Sequence, residues 1–238
     1  MKICIFGDSI GKGVVYDGGL ERYLPSEKGF AKLWAQDADC EIENFSRYGC
    51  TVTRGVELME KNAEKIEDAD YVLLEFGGND SDFDWQKVAE DPKASHAPKT
   101  PLEIFTETYK RAIEGVRKLG KIPVLMNLPP IDEIKYFSWI SRGLSKENIL
   151  KWLGGSADYI YRWHEMYNAA VCAVSHATGA LLIDIRSAFL VRKDYSEYLC
   201  EDGIHPNEKG HGLIREVLER VAFWRGAEVP RLCEAGSL

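Results

Sequence analysis

A serine, a histidine and a carboxylate in this sequence are of the types that nucleophilic attack on an ester requires. Ser9 lies near the start of the chain, and near its end His205 follows Asp202 by three residues. A serine hydroxyl becomes a good nucleophile when a base takes its proton, and histidine is the commonest base. A carboxylate then fixes the tautomer of the imidazole. Asp184 is the rival carboxylate, but Asp202 is preferred because it shares a loop with His205.

Two further positions could stabilise the negative charge that develops on a carbonyl oxygen under attack. Asn79 carries a side-chain amide, and Gly49 lacks a Cβ, so its backbone can come close to a substrate. Each donor of such an oxyanion hole is worth about 3–4 kcal/mol in the transition state. The ordinary alternative is that Asn79 and Asp80 are turn residues.

The elements that position these residues follow from the spacing of apolar side chains. Short apolar runs, typical of strands buried on both faces, occupy residues 3–6, 40–44, 71–75, 122–127 and 180–184. Segments with helical spacing alternate with them at 30–37, 52–66, 101–119, 158–178 and 208–224. This alternation predicts an α/β fold, a three-layer α/β/α sandwich around a five-stranded parallel sheet. Ligands bind at the carboxyl ends of such strands, where the chemistry-bearing residues are predicted to gather.

At this point the sequence resembles the SGNH (GDSL-type) hydrolases. Their four sequence blocks occur here in order and with similar spacing: Gly-Asp-Ser at 7–9, a lone glycine at 49, Gly-x-Asn-Asp at 77–80 and Asp-x-x-His-Pro at 202–206. The resemblance spans most of the chain and implies a flavodoxin-like sandwich. It implies Ser9, His205 and Asp202 as the catalytic triad. The backbone N–H groups of Ser9 and Gly49 and the amide of Asn79 would form the oxyanion hole, without a metal or cofactor.

Ser9 has other interpretations when its neighbourhood is taken alone. A serine between a strand and a helix is most often an N-cap. Residues 7–11 also fit G-x-S-x-G, the nucleophile elbow of α/β-hydrolases, but several strands precede that elbow and here one does. Residues 7–13 suggest a phosphate loop, yet three residues separate the glycines where that motif needs four. His205 could mark only the start of the last helix. A non-catalytic flavodoxin-like binding domain is the alternative to an enzyme.

The domain organisation predicted from length is one domain over residues 1–225 with a tail over 226–238. Two connections, 81–100 and 128–157, exceed the usual length. The second is rich in aromatic residues, and it could be a lid over the site or a helical insertion that packs on the core. Asp8 and Asp80 are expected to brace their loops rather than to act on substrate.

Composition narrows the partners. The formal net charge of −8 argues against nucleic acid, whose binding depends on Lys and Arg. No apolar run is long enough to span a membrane, and no signal peptide is recognisable, which predicts a cytoplasmic protein. Nothing in the sequence specifies an oligomeric state. The predicted substrate is a small-molecule or carbohydrate ester with a short acyl group such as acetyl, because no extended apolar tract suggests a fatty-acyl tunnel. A lysophospholipase or thioesterase with longer acyl chains is the alternative.

Overall fold

A parallel sheet forms the centre of the computed structural model, which describes residues 1–37 and 40–221. Its strands are β1 (Lys2–Gly7), β4 (Glu41–Asn44), β5 (Tyr71–Glu75), β6 (Ile122–Met126) and β7 (Leu181–Ile183), while β2 (Val14–Asp17) and β3 (Arg22–Pro25) form an antiparallel hairpin. The order across the sheet is β4-β1-β5-β6-β7, and every neighbouring pair is parallel. The five-stranded parallel sheet predicted from the sequence is therefore confirmed.

The helices of the described residues include those predicted at 30–37, 101–119 and 158–178, within one residue of the predicted limits, and one that begins at residue 208 as predicted. They are α1 (Phe30–Asp37), α2 (Val52–Lys61), α3 (Ala63–Glu67), α4 (Gly78–Ser81), α5 (Trp85–Glu90), α6 (Leu102–Lys118), α7 (Glu133–Ile140), α8 (Lys146–Trp152), α9 (Asp158–Thr178), α10 (Arg186–Leu190) and α11 (Glu208–Arg220), with a 3₁₀ turn at Tyr195–Tyr198. The prediction of one helix over 52–66 is wrong. The helix breaks at Asn62, whose side-chain amide bonds the carbonyl of Leu58 at 2.7 Å and competes with the helical pattern.

Helices cover both faces of the sheet. Strand β1 illustrates why apolar and polar residues do not alternate along the central strands. Cys4 and Phe6 pack on one face with α2, α6 and α9, whereas Ile3 and Ile5 pack on the other with α1, α10 and α11. All four side chains are fully buried. A strand buried on both faces has no polar side, so its apolar run is continuous.

The two long connections contain three helices that the sequence did not predict. The segment 81–100 includes α5, and the segment 128–157 includes α7 and α8. These helices share a third apolar cluster with the start of α9, which contains Phe83, Val88, Ile149 and Ile160. The insertion is thus packed, with a small core of its own beside the carboxyl edge of the sheet.

The predicted tail, residues 226–238, and the end of the helix predicted to reach residue 224 lie outside the described residues. In the described ranges, no helix is long and apolar enough to cross a membrane. Cys4, Cys50, Cys172 and Cys200 carry free thiols.

Candidate active site

The loop after β1 is built around a buried carboxyl group. Oε2 of Glu75, at the end of β5, accepts the backbone N–H groups of Asp8 and Gly11 at 3.2 and 2.9 Å. Asp8 braces the same turn, since its Oδ1 accepts the N–H of Ile10 at 2.8 Å. Gly7 is required here, because a Cβ would come within 2.8 Å of Glu75 Oε2. These contacts fix Ser9 at the carboxyl edge of the sheet.

Ser9, His205 and Asp202 form a continuous hydrogen-bonded series. Ser9 Oγ lies 2.8 Å from His205 Nε2, and His205 Nδ1 lies 2.6 Å from Asp202 Oδ2. The other carboxylate oxygen of Asp202 accepts the backbone N–H groups of Ile204 and His205 at 3.0 and 3.1 Å. The short loop between acid and base therefore holds both. The rival acid, Asp184, bonds instead to Asn127 and Ser187.

Asp202 is fully buried, yet it is held as a carboxylate. Burial alone would raise its pKa, but hydrogen bonds from the side chain and backbone of His205 and from Ile204 lower the pKa below its usual value. Tyr23 adds a further donor, because its hydroxyl bonds Asp202 Oδ2 at 2.9 Å. Its ring also packs on the His205 imidazole, with centroids 4.9 Å apart.

Sequence reasoning missed Tyr23, although a signal was present. The residue lies on β3, the second strand of the hairpin. Asp17-Gly18-Gly19 between two β-prone runs is a hairpin pattern. That hairpin follows the Ser9 loop directly, so Ser9 is neither a helix N-cap nor part of a strand–loop–helix elbow or phosphate loop.

Asn79 and Gly49 lie side by side next to Ser9. Asn79 Nδ2 donates to Asp8 Oδ2 at 2.8 Å, which leaves its second N–H free. Gly49 has a φ of +62°, and a Cβ there would lie 3.9 Å from Asn79 Oδ1. No acceptor among the described residues takes the backbone N–H of Ser9 or of Gly49. Among the described residues, the backbone N–H groups of Ser9 and Gly49 and one N–H of the Asn79 amide are thus without an acceptor.

Three buried carboxyl groups, those of Asp8, Glu75 and Asp80, support this edge. Asp80 accepts the N–H of Val52 at the start of α2, and burial raises its pKa to about 6. Burial also raises the pKa of Asp8, while the Ile10 and Asn79 donors oppose that rise. Burial and the neighbouring Asp8 carboxylate raise the pKa of Glu75 well above its usual range. Asp8 and Asp80 brace their loops, as the sequence indicates.

The His205 loop makes a close contact with the insertion. Gly203 has a φ of +75°, and a Cβ there would lie 2.6 Å from the carbonyl of Asp132 and 2.8 Å from the backbone nitrogen of Tyr136. The carbonyl of Gly203 accepts the N–H of Asp132, just before α7, at 2.8 Å. No local sequence pattern predicts this contact, because it joins segments about seventy residues apart.

An apolar cleft opens at Ser9, Asn79 and His205, with a volume of about 750 Å³ counted to its open mouth. Its wall comes from four separate segments, 81–85, 128–136, 153–164 and 204. The largest side chains of the wall are aromatic: Phe83, Trp85, Tyr136, Tyr159 and Trp163. Because the wall is assembled from dispersed residues, the absence of one long apolar tract in the sequence does not argue against an apolar site.

The histidines that match no motif are placed differently from His205. His96 and His176 lie away from the cleft, and His211 is fully buried under Val14 with its Nε2 3.3 Å from that carbonyl. His164 is buried and lines the cleft. Within the described ranges, no group of three or more His, Cys, Asp or Glu side chains could hold a metal ion.

A three-layer α/β/α sandwich with a serine and its base at the strand ends defines a class of serine hydrolase. Residues 5–213 match the GDSL-like lipase/acylhydrolase family, and the chain belongs to that family. It is therefore a serine hydrolase that acts on carboxylic esters.

Individual relatives are distant. A GDSL esterase/lipase of Arabidopsis thaliana is 22% identical over 92% of this chain and 78% of its own length. A lipase/acylhydrolase from Enterococcus faecalis has a TM-score of 0.68 at 20% identity, covering 94% of this chain and 96% of its own. A mutant of an acetyl-xylooligosaccharide esterase from Geobacillus has a TM-score of 0.63 at 19% identity, covering 92% of both chains.

Proposed function

We propose that Ser9 is the nucleophile of an ester hydrolase that works through an acyl-serine intermediate. The hydrogen-bonded series from Ser9 Oγ through His205 to Asp202 carries this proposal. His205 takes the Ser9 proton as Oγ attacks the ester carbonyl, and it then gives that proton to the leaving alcohol. Water repeats the sequence to release the acid and restore Ser9.

The oxyanion of each tetrahedral intermediate is stabilised by donors already in place. These are the backbone N–H groups of Ser9 and Gly49 and the free N–H of the Asn79 amide. Because Asp8 fixes the Asn79 amide, little reorganisation accompanies the development of charge. No metal or cofactor enters this mechanism.

Covalent labelling tests the proposal. A fluorophosphonate should add to Ser9, as located by peptide mass spectrometry, and Ser9→Ala should abolish both labelling and hydrolysis of a 4-nitrophenyl ester. Ser138→Ala, at an exposed position of α7, is the matched control and should keep both. Hydrolysis by Ser9→Ala at the wild-type rate would refute the assignment.

The acyl group that the cleft fits best is apolar and larger than acetyl. The wall around Ser9 is built mainly from aromatic and aliphatic side chains, and burial of each methylene contributes about 0.8 kcal/mol, or about fourfold in kcat/KM. With 4-nitrophenyl esters, kcat/KM should rise from acetyl to butanoyl by about tenfold or more. The panel from acetyl to octanoyl measures this directly.

An acetyl ester of a carbohydrate, the substrate favoured by the sequence, is the second candidate. An aromatic cluster of Tyr16, Tyr23 and Trp139 lies beside His205, where the leaving alcohol departs, and aromatic faces suit sugar rings. The Geobacillus relative is named as an acetyl-xylooligosaccharide esterase. A kcat/KM that falls with acyl length, with turnover of acetylated oligosaccharides, would select this candidate.

We also propose that residues 128–157 are a fixed wall of a single domain rather than a lid. Lys135 Nζ donates to the carbonyl of Ser196 at 2.8 Å, and the N–H of Asp132 donates to the carbonyl of Gly203. These hydrogen bonds connect α7 to the loop that carries His205. Amide hydrogen exchange in α7 should be the same with and without the phosphonate adduct. A large increase in protection on labelling would favour a lid. A cytoplasmic location stays a prediction from the sequence.

A further inference from the structure

One buried polar side chain in the cleft has no role in the proposed mechanism. Among the described residues, the buried polar side chains that line the cleft are Asp8, Ser9, Ser81 and His164. The first two belong to the catalytic arrangement, and Ser81 Oγ bonds the carbonyl of Gly78 at 3.0 Å. His164 differs, because no described residue forms a hydrogen bond with its ring.

His164 is held neutral. Its side chain is 7% exposed, and Nδ1 is sealed from solvent without a partner. Burial lowers the pKa of His164 to about 3, and the positive charge of Arg186 contributes to the shift. Arg186 is itself fixed behind the cleft by the carbonyls of Leu128 and Pro129, at 3.2 and 3.1 Å. A ligand in the cleft therefore meets an uncharged imidazole.

The tautomer follows from the surroundings of the ring. A proton on Nδ1 would leave a buried N–H donor without an acceptor, which is unfavourable. We therefore assign the proton of the neutral imidazole to Nε2, the ring nitrogen that is not sealed. Since Nδ1 is sealed, Nε2 is the nitrogen that a molecule in the cleft can reach.

We propose that His164 selects acyl groups that are apolar except for one acceptor oxygen, to which Nε2–H donates a hydrogen bond. The oxygen belongs to an ether, a hydroxyl or a keto group within the acyl chain. This inference rests on the proposed function, which places the acyl group in the cleft. It makes His164 a specificity-determining residue, and it explains why evolution would leave a buried imidazole unpaired in an apolar wall: its partner arrives with the substrate.

Matched esters test the proposal. A series of 4-nitrophenyl hexanoate analogues, each with one methylene replaced by an ether oxygen, is compared with hexanoate itself. The ratio of kcat/KM for each ether to that for hexanoate is measured in the wild type and in His164→Phe, so that intrinsic differences in ester reactivity cancel. At one chain position the wild-type ratio should exceed the variant ratio by about tenfold, the value of one hydrogen bond.

Two further measurements separate recognition from a structural role. His164→Gln keeps an N–H donor and should recover part of the ratio that His164→Phe loses. The Tm of His164→Phe should equal or exceed that of the wild type, because the substitution removes an unpaired polar group. A lowered Tm with unchanged ratios would assign His164 to structure and overturn the proposal.

The remaining outcomes are also decisive. Ratios equal in the wild type and in His164→Phe at every position, with Ser9-dependent hydrolysis intact, would overturn the proposal while leaving the esterase function standing. A preference that appears only when the oxygen is in the alcohol part would overturn it as well. Failure of the proposed function looks different, since no ester would then be hydrolysed through Ser9.

Discussion

The pair formed by Asp8 and Asn79 gives the sharpest test of the oxyanion hole. Asn79 Nδ2 uses one of its two protons on Asp8 Oδ2, at 2.8 Å, and leaves the other for the substrate. Asn79→Ala removes one donor of three, and loss of one such donor lowers kcat by about 100- to 1,000-fold. KM should change little, because the interaction forms in the transition state.

Asp8→Asn tests the orientation of that donor. Its Oδ1 is needed by the N–H of Ile10, so the new amide NH₂ would face the NH₂ of Asn79. Two donors repel each other, and Asn79 would turn away from the oxyanion. The loss of a charge-assisted hydrogen bond predicts about a 10- to 100-fold fall in kcat.

The double variant with Asp8→Asn and Asn79→Ala tests whether Asp8 acts through Asn79. If Asp8 acts through Asn79, then Asp8→Asn should cost less than about threefold in an Asn79→Ala background, because no amide remains to be misplaced. The assay is kcat on a 4-nitrophenyl ester, with circular dichroism and thermal unfolding as controls for folding. Losses that simply multiply, or an Asn79→Ala variant within tenfold of the wild type, would refute the reasoning.

Three further predictions concern residues that support the site. The pKa of Glu75 is raised, so the folded protein keeps a proton that the unfolded chain releases above about pH 4.5, and this proton makes stability fall as the pH rises from there. Asp8 and Asp80, whose pKa values are also raised, add to the same slope. Glu75→Gln should therefore make the slope shallower in urea unfolding at several pH values, whereas Glu114→Gln, at an exposed site, should leave it unchanged. Gly203→Ala should lower the free energy of unfolding by about 1–3 kcal/mol more than Gly120→Ala, because φ is similar at both glycines but a Cβ has free space only at Gly120; equal losses would contradict the reported contacts. Tyr23→Phe should lower kcat several-fold and stability by about 1.5 kcal/mol, because it removes a donor to the catalytic carboxylate; wild-type kinetics and Tm would show that the hydroxyl is dispensable.

The meeting of distant residues could be predicted because a parallel sheet places the carboxyl ends of its strands at one edge. Ser9 follows β1 and Asn79 follows β5, and these strands are neighbours in the sheet. Asp202 could be preferred over Asp184 because Asp202 precedes His205 by three residues, so the two side chains lie on one short loop. The gathering at one edge followed from the parallel sheet, whereas the roles of the individual residues came from the resemblance to the SGNH hydrolases.

The rest of the site depends on contacts between segments that no local pattern connects. The apolar wall of the cleft comes from four parts of the chain, so no local sequence pattern predicted it. His164 lies on α9, and helical spacing alone does not show that its Nδ1 is buried without a hydrogen-bond partner. Glu75 could be predicted only as the end of a buried strand. That its carboxyl group accepts the N–H groups of Asp8 and Gly11 in the Ser9 loop is visible only in the tertiary structure.

The bond between Asp132 and Gly203 bears on how such an enzyme can be re-engineered. Exchanging a wall segment between relatives is a common route to new specificity, and residues 128–157 are the obvious segment to graft. In this chain, however, the N–H of Asp132 donates to the carbonyl of Gly203, two residues before His205. Lys135 likewise donates to the carbonyl of Ser196 in the preceding 3₁₀ turn. In a chimaera whose residues 128–157 come from a relative, we expect these contacts to be lost and His205 to be displaced. Residues 128–157 and 195–206 should therefore be exchanged together, from one parent protein, so that the contacts between them are kept.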